Sequence, residues 1–319
     1  MADETSYTSA SSMPWKLLKC RDALHGKTIL PYHLQLIPTN KCNGNCEWCS
    51  CQGVDRTLEF DWGELEKALN YFYIYGTKAI TVTGGGEPTI YPRIMDLFEY
   101  CNGHEIEIGL VTNGLKWSKS IEETQLLRDT LTWMRVSVMD TIDNYNIEIL
   151  ENMAQRLPNI DMGISFTVSR DVNIPLAMAI SEMAEKYENI THIRFVQDIF
   201  KSEDINVCWS MQRIKTLCSA ITDKGIYQFR KDHTLGSKKC LISRLKPMLN
   251  CDGYIYPCCG VQYAGDELKT MPEEFRMCYW EDYKGYGIFD GSICKKCYYK
   301  DYNDVLERLV TTLEHGRFL

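Results

Sequence analysis

The sequence predicts an α/β fold: a parallel sheet with helices packed outside it, followed by a small cysteine-rich unit. Strand-like and helix-like segments alternate from residue 33 to about residue 230. Polar and glycine-rich signals fall just past the strand C-termini, where parallel α/β folds place their chemistry. Beyond residue 230 turn residues become dense and cysteines return.

The elements follow in order. His33–Pro38 alternates and is β-branched, so it reads as the first strand. Asp61–Tyr73 fits a helix and Ala79–Thr83 a strand that runs into glycines. Arg93–Tyr100 fits a helix, and Glu105–Val111 a strand ending in Thr112-Asn113-Gly114. Three further pairs follow as helix then strand: 121–127 with 133–138, 147–157 with 162–168, and 176–187 with 192–196. A last helix covers 209–224. The expected organisation is an N-terminal extension over 1–32, with one amphipathic stretch around Trp15–Leu24. A sheet domain over 33–230, a metal-held unit over 236–300 and a closing amphipathic helix over 301–319 complete it.

Composition narrows the function. A net charge of -8 argues against a large nucleic-acid footprint, which needs a basic face. A local basic pocket remains open to Arg170, Arg194, Arg230, Lys238, Lys239, Arg244 and Lys246. Residues 1–13 carry no secretory pattern and no apolar run reaches membrane-spanning length, so the expected compartment is the reducing cytoplasm. Fifteen cysteines are too many for an ordinary protein there, where disulfides are disfavoured. An odd number also leaves one unpaired. Metal binding accounts for them.

Cys42, Cys46 and Cys49 are spaced C-x3-C-x2-C directly after the first strand. Structural zinc normally takes four ligands from paired short motifs. Three thiolates in one short loop suit a cubane cluster that leaves one iron open. On this motif the sequence resembles the radical S-adenosylmethionine family. The resemblance implies a partial (β/α)6 TIM-like barrel, a [4Fe–4S] cluster and bound S-adenosylmethionine. It also implies an electron donor such as flavodoxin or ferredoxin, and oxygen sensitivity. It places Trp48 near the adenine and leaves Cys51 as a spare thiol outside the pattern.

The same resemblance gives roles to other residues. Gly85, Gly86, Glu87 and Pro88 match the element that holds the methionine amino group; without it, the run reads equally well as a turn. Asn113 is expected under the cofactor, and Ser137 and Ser169 at its ribose or carboxylate. Arg170 could pair with the carboxylate or be a solvated surface residue. Val196 is expected against the adenine, with Asn173, Arg194 and Gln197 as further contacts or as rim packing.

Cys240, Cys258, Cys294 and Cys297 fit a second site, the last two as C-x2-C. No cysteine follows Cys297. The region therefore resembles the shortened twitch unit rather than the longer SPASM type, which implies a second [4Fe–4S] cluster; tetrahedral zinc is the rival. Ligand choice among Cys251, Cys258, Cys259 and Cys278 stays open. Cys259, or Cys251, is a possible hydrogen-atom donor to a substrate radical, and a buried small hydrophobe otherwise.

The expected reaction is oxidation or epimerisation of a small polar substrate such as a sugar, aminocyclitol or nucleotide. Oxidation would need a base, for which Asp140, Asp198 and His233 are the choices. Radical modification of a peptide is the alternative and nucleic-acid modification a further one. An iron–sulfur electron-transfer protein would explain the cysteines but not the glycine run.

Overall fold

The computed structural model describes residues 31–116, 125–138, 147–201, 203–229, 234–265 and 270–310. Seven strands form a parallel series in chain order: β1 (His33–Leu36), β2 (Ala79–Val82), β3 (Glu107–Thr112), β4 (Leu131–Val138), β5 (Asp161–Val168), β6 (Ile190–Gln197) and β7 (Gly225–Gln228). The helices between them are α1 (Trp62–Ile74), α2 (Ile94–Gly103), α3 (Gln125–Thr130), α4 (Ile147–Arg156), α5 (Ile174–Lys186) and α6 (Ile205–Cys218). The expected alternation is present, with β7 as an additional strand. The N-terminal extension, including Trp15–Leu24, lies outside the described residues.

Local chemistry sets the helix starts. Asp61 accepts from Glu64 N, Asn173 from Leu176 N and Asp204 from Asn206 N, each satisfying an N–H that a first turn leaves open. Asn173, a weak cofactor contact by sequence, is thus the cap of α5.

Alternation along the strands separates the two faces of the sheet. On β4, Met134, Val136 and Val138 are buried with the helices, while Trp133, Arg135 and Ser137 face the other way. On β5 and β6 the same division puts Ile164, Phe166, Ile193 and Phe195 in the core. It leaves Ser165, Thr167, His192 and Arg194 on the concave face.

The segment beyond residue 236 is not freestanding. After α7 (Ile242–Leu245), β8 (Met248–Leu249) pairs in parallel with β1. Then β9 (Tyr254–Tyr256) and β10 (Cys278–Tyr279) continue the sheet antiparallel. The order is β10-β9-β8-β1-β2-β3-β4-β5-β6-β7. Ile255, Tyr256 and Tyr283 belong to the main core. A smaller cluster joins Leu241, Ile242, Leu245, Tyr299 and Leu306, the last on α8 (Lys300–Val310). Among the described residues no helix is long and apolar enough to cross a membrane.

Candidate active site

Cys42, Cys46 and Cys49 sit on the loop leaving β1. Gly44 N donates to Cys42 Sγ at 3.4 Å and Cys51 N to Cys49 Sγ at 3.3 Å. Such bonds to sulfur are one of the levers a protein has on a cluster. Burial pushes the Cys42 thiol up, while the Gly44 N–H and then Arg56 act to lower it.

Arg56, which sequence reasoning missed, ties this loop to the glycine run. Its Nη1 donates to Asn40 O (3.0 Å) and Gly85 O (2.8 Å), and its Nη2 to Cys51 O (2.9 Å). Three carbonyls on two segments share one guanidinium, a geometry lysine cannot reproduce. Arg56→Lys should therefore lower stability by about 2 kcal/mol, measured by denaturant titration; a shift within 0.5 kcal/mol would show that the clamp is slack. No motif signals this arginine, because its partners are backbone carbonyls.

Glu87 is buried, with all its hydrogen bonds inward. Oε1 accepts from Thr89 N (3.1 Å), Thr89 Oγ1 (2.7 Å) and Thr112 Oγ1 (2.5 Å), and Oε2 from Asn113 N (2.7 Å). It fastens the glycine run to the end of β3. Asn113 in turn donates from Nδ2 to Asn43 Oδ1 on the cysteine loop (2.9 Å).

One cavity of about 370 Å³ gathers these parts. Its wall includes Cys42, Cys46, Cys49, Trp48, Gly84, Gly86, Glu87, Asn113, Ser137 and Val196. Ser165, Thr167, Arg135, Arg194, Gln197 and Asp198 also line it; the sequence offers Arg194 and Gln197 as contacts and Asp198 as a base, and gives no role to Ser165, Thr167 or Arg135. Alternation counted back from Ser137 could have found Arg135; Ser165 lies on the neighbouring strand and takes its place from register. Ser169 and Arg170 do not line the cavity, and Arg170 is exposed. Of the three bases considered, Asp198 is at the cavity, its Oδ1 accepting from Phe200 N. Asp140 and His233 lie outside the described residues.

His192 faces the same side. Burial, then Arg194 and Arg135, pull its pKa down to about 4. Its usual pKa is 6.5, so between 6.5 and 4 the unfolded chain binds the extra proton and stability falls as pH falls. His192→Gln should flatten the stability–pH curve in that window by up to about 3 kcal/mol. An unchanged slope would place the ring in water.

The second cysteine set is also assembled. Cys258 interacts electrostatically with Cys240 and Cys294, and Cys297 with both of those. Backbone bonds brace the two arms: Gly236 N to Cys294 O, Cys240 N to Phe289 O and Cys297 N to Thr234 O. A Cβ on Gly236 would meet Gly291 O at 2.0 Å and Cys294 Cβ at 2.9 Å, so glycine lets the arms close. Cys278 stands apart, its strongest neighbours being Asp282 and Arg244. Cys251 is buried in the main core, its thiol pushed up to about 12 by burial, and does not line the cavity. Cys259 Sγ meets Tyr299 Oη at 3.4 Å. The two cysteine regions are joined: Ser50 Oγ donates to Gln262 Oε1, and Tyr263 lines the cavity.

Among the described residues no three Cys, His, Asp or Glu side chains close around a point as a single ion requires. A cubane holds its thiolates further apart. Three soft donors from one loop, opening on a cavity of ligand size, fit such a cluster with one exchangeable corner.

Comparison with known proteins agrees with this geometry. Residues 36–162 match the Radical SAM superfamily, so the chain carries a radical SAM domain. It is 28% identical over 121 residues to the probable GTP 3',8-cyclase of Pyrococcus abyssi, spanning 37% of this chain and only 38% of that protein. It is 26% identical over 209 residues to the S-adenosylmethionine-dependent nucleotide dehydratase of a Thermoplasmatales archaeon, 60% of this chain and 69% of that protein. Streptococcus suis SuiB bound to precursor peptide SuiA superposes with a TM-score of 0.56 at 14% identity, over 82% of this chain and 66% of that one. At that identity the likeness is one of fold.

Proposed function

We propose that this chain cleaves S-adenosylmethionine reductively and directs the resulting radical at a C–H bond of a substrate held on the concave face of the sheet. The observation that carries this is one cavity that collects three loop thiols, the glycine run and the strand-end hydroxyls. Bound there, a [4Fe–4S] cluster supplies the electron that breaks the cofactor's carbon–sulfur bond to give methionine and a 5'-deoxyadenosyl radical. The chain's own contribution is placement. Arg56 and Glu87 lock the cysteine loop, glycine run and β3 together. Trp48 and Val196 offer apolar surface to a base, Ser137, Ser165 and Thr167 offer hydroxyls, and Tyr263 lines one side. The second cysteine set fits an auxiliary cluster held by Cys240, Cys258, Cys294 and Cys297. Reduction would come from a flavodoxin or ferredoxin.

For substrate, peptide modification, the alternative on sequence, takes precedence over a sugar or aminocyclitol. Its support is the shared fold with SuiB, which was solved with its precursor peptide. A nucleotide is the second reading, favoured by the names of the cyclase and dehydratase relatives and by the cations in the cavity. Anaerobically reconstituted protein with dithionite tests both. Formation of 5'-deoxyadenosine stimulated by peptides, or by nucleoside triphosphates, selects between them; no cleavage of S-adenosylmethionine under any condition would sink the proposal.

Oxidation and epimerisation separate at Cys259. If it donates a hydrogen atom, Cys259→Ala keeps cofactor cleavage and loses the inverted product. An unchanged product removes that role.

A further inference from the structure

We propose that Arg135, supported by Arg194 and Lys246, seats an oxyanion of the substrate, a carboxylate or a phosphate, on the floor of the concave cavity. The inference deepens the reading above and rests on it for the substrate's presence.

Position is the first argument. Arg135 on β4 is in register with Gly163 on β5 and, through it, with His192 on β6. Ser137, Ser165 and Arg194 form the next inward level, two residues closer to the strand C-termini. That step is roughly 7 Å. The residues suited to the cofactor stand at the upper level or on the loops above it, so Arg135 lies beneath them. Gly163 beside it has no side chain, and the His192 ring packs over that position, since a Cβ there would stand 2.5 Å from His192 Cε1, so the open space next to Arg135 is on its cavity side.

Charge is the second. Arg135 Nε is buried and has no hydrogen-bond partner, and the side chain makes no ion pair among the described residues. Burial, then the Arg194 charge, pull Arg135 down to about 9, and Cys259, Tyr299 and Tyr298 oppose that only in part. Lys246 is likewise pulled down, by burial first; Cys259 and Cys258 oppose this, and Arg135 and Arg194 add to it. Buried like charges are costly unless an anion joins them. A guanidinium fork matches the paired oxygens of carboxylate and phosphate.

Two other anions could use the same charge: the thiolates of the second cysteine set, and the cofactor's own carboxylate. Titration calorimetry on the anaerobically reconstituted full chain distinguishes them, with inorganic phosphate and glutarate as probes in the presence of S-adenosylmethionine. Wild type should bind one probe. Arg135→Met should weaken it by roughly tenfold or more, and Arg135→Lys by less. Iron content and S-adenosylmethionine affinity should be unchanged in both variants. Preference for phosphate points to a phosphorylated small molecule, and preference for glutarate to an acidic side chain. No binding of either probe to wild type, or equal binding to wild type and Arg135→Met, overturns the proposal. Loss of about four irons in Arg135→Met assigns the charge to the second cluster, and loss of S-adenosylmethionine affinity assigns it to the cofactor; either also overturns it. Should Arg135→Met fail to fold, Arg135→Lys carries the comparison. Anion binding by a protein that never cleaves S-adenosylmethionine would defeat the proposed function and leave this inference standing.

Discussion

Replacing Cys42, Cys46 and Cys49 together by alanine should lower iron from about eight to about four atoms per chain and abolish 5'-deoxyadenosine formation. The fold should survive, because the loop contributes little to the core: Cys42 is exposed and Cys46 and Cys49 are half-buried. Its anchors are elsewhere, in Arg56 and in the Asn113–Asn43 bond, and none of them uses a thiol. Replacing Cys240, Cys258, Cys294 and Cys297 should remove the other four or so irons, but with a larger loss of stability. Cys240 and Cys258 pack on the small cluster of Leu241, Ile242 and Tyr299, so those substitutions disturb packing as well as ligation. Iron and sulfide counts with a thermal melt on each variant check both statements. About four irons in wild type, with none after the triple substitution, would remove the auxiliary cluster and return Cys240, Cys258, Cys294 and Cys297 to zinc or to packing.

The alternation of strands and helices was legible because each β-strand buries one face against amphipathic helices, and that periodicity is written in the residues themselves. Asp61 and Asp204 capped helices in the way their types favour. The cysteine loop and glycine run were legible because their chemistry is local in sequence. Arg135, Ser165 and Arg56 were not. The first two gain their place from strand register, which brings Ser165 beside Ser137 and Gly163 beside Arg135. Arg56 gains its place from three carbonyls that no residue type announces. The union of the C-terminal segment with the barrel sheet was hidden for the same reason: β8 is two residues long, and its pairing with β1 is a contact across more than 200 residues. Ser169 was expected at the cofactor by resemblance and Arg170 either there or in solvent; beside them the cavity wall draws on Ser165 and Thr167, inside β5.

The second large effect is expected at Gly86. A Cβ there would stand 1.9 Å from Lys41 O and 2.5 Å from the Asn40 carbonyl carbon, both backbone atoms of the cysteine loop. Neither can move aside freely. Asn40 N donates to Leu58 O, Asn40 O accepts from Arg56, and Lys41 O accepts from Glu87 N at 2.8 Å. Relief must come from parting the glycine run from the loop. That would pull Glu87 away from Thr112 and Asn113 and shift the thiols relative to the strand-end hydroxyls. Gly86→Ala should therefore cost more than about 2 kcal/mol of stability. A displacement near 1 Å at the reacting centre should slow cofactor cleavage on the order of 100-fold. Gly103→Ala is the control: it is helical and nothing lies within 4 Å of its added Cβ, so stability should hold or rise by up to about 1 kcal/mol with the rate unchanged. Denaturant midpoints and single-turnover 5'-deoxyadenosine yields read both effects. If Gly86→Ala matches Gly103→Ala in both, the loop and the run are not in contact in solution, and the glycines lose their claim on the cofactor. If stability falls while the rate is kept, the contact is architectural and the methionine end of the cofactor must be held by other residues of the cavity wall.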